Sequence, residues 1–192
     1  MNVIVLLFMD VSSNKIGEGA IALIEFSNLS YINFRECALQ LEPVCEALKN
    51  NNTITFIDLS YSEYHPALSA MLKHNNSIVT IILAHTWLKE EHFIQMGEAL
   101  QVNQTLTSID LTLNKMSEKS TAAIAEALKV NQVLTDVTFN NSKPNVTLIC
   151  DALKATTSIT SLDLTNCLSQ PNDLVILSDA IKKKWLINIL MH

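Results

Sequence analysis

Gly17, Gly19 and Ala22 stand as G-x-G-x-x-A, the spacing of a dinucleotide-binding loop. In such a loop the glycines let backbone amides approach a pyrophosphate at the start of a helix. Alone the pattern is weak, because the same residues suit any tight loop that leads into a helix. Metal chemistry has less to build on. Glu90-Glu91-His92 lacks the second histidine four residues on that a metalloprotease helix needs. His85 and His92 could coordinate a metal together or stand as ordinary surface histidines. Cys37, Cys45, Cys150 and Cys167 form no C-x-x-C pair, and no local signature marks any of them as a nucleophile. Cys45 and Cys150 fall on apolar helix faces, where a thiol is inert. No Gly-x-Ser-x-Gly elbow occurs. The expectation is therefore a chain without catalytic residues, cofactor or metal. A small nucleotide- or metal-dependent enzyme using the Gly17–Ala22 loop is the alternative.

Composition narrows the class. A chain of 192 residues with 48% hydrophobic and 17% charged residues can bury a sizeable core and is too apolar for disorder. No apolar run approaches the roughly 18 residues of a spanning helix, so no membrane association is expected. The net charge is −6, and Lys182–Lys184 supply three of the thirteen cations. That balance argues against a nucleic-acid partner. Three glycines and four prolines exclude a turn-rich β-sandwich. Unpaired cysteines imply a reducing compartment, and the cytoplasm is expected. The apolar Met1–Met9 has no basic leader and meets Asp10 where a cleavage site would lie, so it reads as a first buried strand.

What positions these residues is a repeat. Leu106, Ile109, Leu111 and Asn114 have the spacing L-x-x-L-x-L-x-x-N. The spacing recurs from Leu6, Leu29, Ile54, Ile78, Leu134 and Ile159, in steps of 23 to 28 residues, and a degenerate eighth copy falls in Leu186–Met191. A second leucine precedes each copy from Leu29 to Ile159 by six residues, at Leu23, Leu48, Leu72, Leu100, Leu128 and Leu153. All length variation falls in one connection, as it does in stacked repeats. That connection reads as a helix: Ile124 and Leu128 share a face, and Ser117 suits an N-cap. Asn51, Asn75, Asn103 and Asn131 precede their strands by three residues. They are expected at the left-handed C′ position that closes a helix, which asparagine tolerates.

With these features the chain resembles the leucine-rich-repeat proteins, specifically the ribonuclease-inhibitor-like class. Asn14–Ala20 and the Glu-Ala-Leu triplets followed by Asn-x-Thr-Leu look like its signature segments. The resemblance covers about residues 6–181 and implies a single domain over 1–192. Its fold class is α/β, a right-handed leucine-rich-repeat solenoid or horseshoe of about seven to eight repeats. A parallel β-sheet would line the concave face and helices the convex face. The resemblance implies a non-catalytic scaffold that binds another protein through the concave sheet. The Asn position is held by Asn14, Cys37, Ser62, Thr86, Asn114, Ser142 and Cys167, each able to bond a neighbouring turn. The short, Asn-rich, Gly-poor array also looks like repeat effectors that intracellular bacteria deliver into host cytosol, and like cytosolic regulators of eukaryotes.

In such a strand the leucines point inward and the residues between them outward. One outward row is then Asp10, Asn33, Asp58, Ile82, Asp110, Thr138 and Asp163. Its acids lie on alternate strands, ~10 Å apart, and could read a basic segment of a partner, although Asp is also usual here in the repeat class. A second row begins Phe8, Tyr31, Phe56 and ends in small polar residues. Beyond it stand Arg35, the single arginine, and Tyr61 and His85 just past the strands. Aromatic residues beside one arginine have the composition of an interaction hot spot. Phe8, Asp10, Tyr31, Arg35, Phe56, Asp58, Tyr61, Ile82, His85 and Asp110 are the candidate partner-binding residues. Met1 runs into the first strand and Trp185–Met191 is apolar. The two sheet edges therefore either pair into a homo-oligomer or act as imperfect caps.

Overall fold

The computed structural model describes residues 7–25, 28–182 and 188–191. Three-residue strands alternate with helices along the chain. In order these are β1 Phe8–Asp10, α1 Gly19–Glu25, β2 Tyr31–Asn33, α2 Leu41–Lys49, β3 Phe56–Asp58 and α3 Ala67–Leu72. They continue as β4 Thr80–Ile82, α4 Glu90–Val102, β5 Ser108–Asp110, α5 Glu118–Val130 and β6 Asp136–Thr138. The chain closes with α6 Val146–Ala155, β7 Ser161–Asp163, α7 Asp173–Ile181 and β8 Asn188–Leu190. The strands form one parallel sheet in the order β1 to β8. Parallel neighbours need a crossover of a dozen or more residues, and each turn-plus-helix supplies one.

The register follows the repeat. Ile32, Ile57, Ile81, Ile109, Val137 and Leu162 pair in succession as the strand centres. All are buried, as are the leucine-type positions on either side of them, such as Leu106 and Leu111. Leu48, Leu72, Leu100, Leu128 and Leu153 close the same core from the helices, whereas Leu23 is only half-buried. Leu6, and Leu186 of the last copy, lie outside the described residues. Helices α4 and α5 approach so closely that a Cβ on Gly97 would stand 2.7 Å from the Ala123 carbonyl oxygen. Ser117 caps α5 as expected, its Oγ accepting the Ser120 N–H.

Two expectations about the turns are corrected. Asn51, Asn75, Asn103 and Asn131 are not left-handed: Asn103 has φ −68° and Asn131 φ −70°. Their side chains do the work instead. Asn131 Nδ2 donates to the carbonyls of Leu100 and Asn103 in the preceding coil, at 2.6 and 3.1 Å. Its Oδ1 accepts the Val133 and Leu134 N–H groups, at 2.9 and 2.7 Å. Asn103 and Asn75 repeat this pattern one and two coils earlier. One helix end is thus satisfied by the next repeat, which glycine could not do.

The left-handed residues are others. Ser13, Glu36, Tyr61, His85, Leu113, Asn141 and Asn166, just past the strands, all have φ between 54° and 62°. The N–H groups of the first six carry the parallel ladder one step further, as from Tyr61 to the Ala84 carbonyl. The second correction concerns the Asn position of the repeat. Cys37, Asn114, Ser142 and Cys167 do bond the preceding coil, for example Asn114 Nδ2 to the Leu83 carbonyl at 2.7 Å. Asn14 bonds only its own turn, and Thr86 donates to its own Leu83 carbonyl. Ser62 is buried with its Oγ unpaired, so this ladder is interrupted at the third and fourth repeats.

Candidate functional site

The first and third residues of each strand point away from the helices and make the sheet's open face. Strands ~4.8 Å apart in register place like positions side by side, and Phe8, Tyr31 and Phe56 are such a set. Their rings stack at 4.0 and 4.1 Å between centroids, nearly parallel. This stacking leaves Tyr31 and Phe56 half-buried rather than exposed, while Phe8 at the end is 55% exposed. Burial raises the pKa of the Tyr31 hydroxyl, and the charges of Asp10 and Asp58 add to it. In β5 to β7 the same row holds Ser108, Asp136 and Ser161.

The acidic row has a structural task. Oδ1 of Asp10, Asp58, Asp110 and Asp163 each accepts the N–H two residues on, at 2.7 to 2.9 Å, and Asn33 does the same. Bonding to Ser12, and to Asn33, holds the Asp10 carboxyl below its ordinary range. Asp58 is buried, Asp110 half-buried and Asp10 exposed. Ile82 and Thr138 interrupt this row.

Past the strands a second cluster crosses three coils. The Arg35 guanidinium lies 4.5 Å from the Tyr61 ring centroid. Tyr61 meets His85 edge-on at 4.8 Å, and His85 meets Trp87 at 4.8 Å. Tyr61, His85 and Trp87 all have left-handed backbones, which cost a bulky L-residue roughly 1–2 kcal/mol each. Trp87 is 54% exposed. Sequence reasoning missed it because it followed the strand positions and stopped two residues short. It also passed over Val79, 36% exposed just before β4, where five other coils have Ser or Thr.

The fourth repeat therefore breaks the array's own rules in several places. Val79 replaces a hydroxyl that elsewhere donates to the preceding coil. Ile82 replaces an Asp or Asn acceptor, and Thr86 does not bond back. Among the described residues, buried side-chain atoms without a partner are Ser60 Oγ and Ser62 Oγ in the third repeat, and His85 Nδ1 and Gln95 Oε1 in the fourth. Asn114 Oδ1 of the next coil compensates at Thr86 by accepting its N–H, its hydroxyl and the Leu88 N–H. The departures at Val79 and Ile82 instead place apolar side chains where the array has polar ones, a usual mark of a functional surface.

Enzyme-like features resolve differently. Gly17 takes a left-handed φ of +49° and Gly19 begins α1, a helix of seven residues. His92 stacks on Tyr64 at 4.4 Å and its Nδ1 takes the Lys89 N–H. Among the described residues no group of three or more His, Cys, Asp or Glu could hold a metal ion. The four thiols are buried, and desolvation pushes Cys45 up to about 12 and Cys150 up to about 11.

A parallel sheet of short strands, one helix per crossover and side-chain ladders between coils define a leucine-rich-repeat solenoid. Solved structures agree on the fold. LegL7, a leucine-rich-repeat protein of Legionella pneumophila, superposes with a TM-score of 0.63 at 18% identity, covering 97% of this chain and 74% of that one. Actin-binding site 2 of leiomodin-1 gives 0.62 at 21% identity, covering 72% of this chain and 86% of that one. Neither a family model nor a curated protein matches the sequence.

Proposed function

We propose that this chain is a non-catalytic recognition module, one unit over residues 1–192, that seats a partner protein on the open face, the concave side of the array. The observation that carries the proposal is the coincidence of the irregular fourth repeat with the aromatic and arginine cluster. Phe8, Tyr31 and Phe56 supply one rail, and Arg35, Tyr61 and His85 the other, extended by Trp87. Asp10, Asp58, Ile82 and Asp110 lie on the strands between. Large rigid rings contribute contact area at little entropic cost, and rings with arginine dominate hot spots. The acids outnumber Arg35 on this face, which favours a partner with a basic segment.

The proposed setting is a reducing cytosol, supported by four free buried thiols. Fold likeness to a Legionella repeat protein, and the resemblance to delivered effectors, favour a bacterial effector acting on a host protein in host cytosol. The test is a pull-down from eukaryotic lysate with wild type and a Tyr31→Ala/Phe56→Ala pair. A protein retained by the first and lost from the second supports the module and its face. Equal retention by both moves the site elsewhere. A second reading is self-association through the sheet edges, where Leu7, Phe8, Leu190 and Met191 are all exposed. Light scattering that rises in mass with concentration supports it.

A further inference from the structure

We infer that the partner element lying along β4 is an amphipathic α-helix with Lys or Arg on both flanks of its apolar stripe. This rests on the open face being the recognition surface, and it adds the shape and chemistry of what binds. The apolar side chains of the fourth repeat form a line rather than a patch. Val79 stands just before β4, Ile82 at its end and Trp87 beyond the turn that follows. Extended chain rises ~3.3 Å per residue, so from Val79 to Ala84, where the His85 turn begins, the line is about 17 Å long. A helix spans that length in about 11 residues.

The width agrees as well. Ile82 sits in register between Asp58 on β3 and Asp110 on β5. The two acids are therefore ~10 Å apart across the line, close to the 10–12 Å diameter of a helix with its side chains. Each carboxylate uses Oδ1 for its own turn, at 2.8 and 2.7 Å, and Oδ2 accepts no bond among the described residues. Charge on both sides of an apolar line complements a helix whose apolar stripe has cations on both sides. An extended segment fits less well. Its alternate side chains would present only one row to the line, and its cations would fall along the stripe rather than beside it. The Arg35 guanidinium, which keeps its charge, lies 4.5 Å from the Tyr61 ring centroid.

The test uses three fluorescent peptides of about 14 residues and the full chain. The first is a side-chain-stapled helix with a leucine stripe and lysine flanks. The second has the same composition with two central prolines, and the third is stapled with glutamate flanks. Anisotropy should show binding of the first and at least tenfold weaker binding of the other two. Ile82→Glu should weaken the first peptide at least tenfold while Ile82→Leu leaves it bound, with unchanged circular dichroism in both. Asp110→Asn should weaken it by about threefold. Equal affinity for the proline peptide overturns the helix, equal affinity for the glutamate peptide overturns the flanking charge, and indifference to Ile82→Glu overturns the location. Should no peptide bind while a photo-crosslinker at position 87 still captures a protein from lysate, this inference falls and the recognition face stands. Should both fail, the recognition face falls with it.

Discussion

Replacing Asn131 with glycine separates the two ways an asparagine can end a helix. If its value lay in a left-handed backbone, glycine would be neutral or better. In this fold the value lies in four hydrogen bonds, to two carbonyls of the preceding coil and two amides of its own. The residue is 1% exposed, so removing the side chain strands four backbone groups away from bulk water. Each stranded group costs about 1–3 kcal/mol, and a water entering the cavity would recover part of that. We expect Asn131→Ala to lose about 3–5 kcal/mol, and Asn131→Gly roughly 0.5–1 kcal/mol more from backbone entropy. For a domain with a total stability of about 5–15 kcal/mol, that loss is plain in a urea titration followed by circular dichroism. Asn51 provides an internal scale. It is half-buried where Asn131 is buried, so Asn51→Ala should cost less than Asn131→Ala. Asn131→Gly within about 1 kcal/mol of wild type would refute the ladder argument.

Three further outcomes are expected. Gly97→Ala should destabilise by about 1–3 kcal/mol despite better helix propensity, because the new methyl meets backbone rather than a movable side chain; thermal melts check this. Leu113→Asn should stabilise by about 0.5–1 kcal/mol, since Leu113 is 46% exposed at φ 59° and the equivalent turns hold Asn141 and Asn166; denaturant midpoints check this. Burial lowers the pKa of His92 in the fold. The unfolded chain therefore takes up that proton first, near pH 6.5. Stability is full above that pH and falls as the solution is acidified through it. Urea midpoints between pH 7.5 and 5.5 should show the decline in wild type and a flatter profile in His92→Gln. The depressed carboxyls of Asp10, Glu90 and Asp179 act only at more acidic pH.

The fold was legible because its determinants are periodic. Inward leucines at fixed spacing, with variation confined to one connection, specify strand, crossover and register together, and every outward row could be written from one copy. The asparagine roles were not legible, because a C′ residue and a ladder residue occupy the same place in the sequence and differ only in backbone angle. The unpaired Ser62 was hidden for a similar reason: a hydroxyl has the chemistry to bond a neighbour, but its reach is set by the turn. Of the candidate site, ten residues could be placed by rows, and the structure brings Arg35, Tyr61 and His85 into one contact chain. Trp87 joins that chain through a left-handed turn that no strand periodicity describes.

Site-specific photo-crosslinking tests the central claim most directly. A benzophenone amino acid is placed at position 87, on the aromatic side of the face, and in a second variant at position 161, among the hydroxyls of β7. Both proteins are irradiated in eukaryotic lysate. The account predicts one discrete adduct from position 87, competed away by unlabelled wild type but not by a Tyr61→Ala/Trp87→Ala chain, and none of that mass from position 161. Equal adducts from both positions, or competition by the double variant as strong as by wild type, would contradict it.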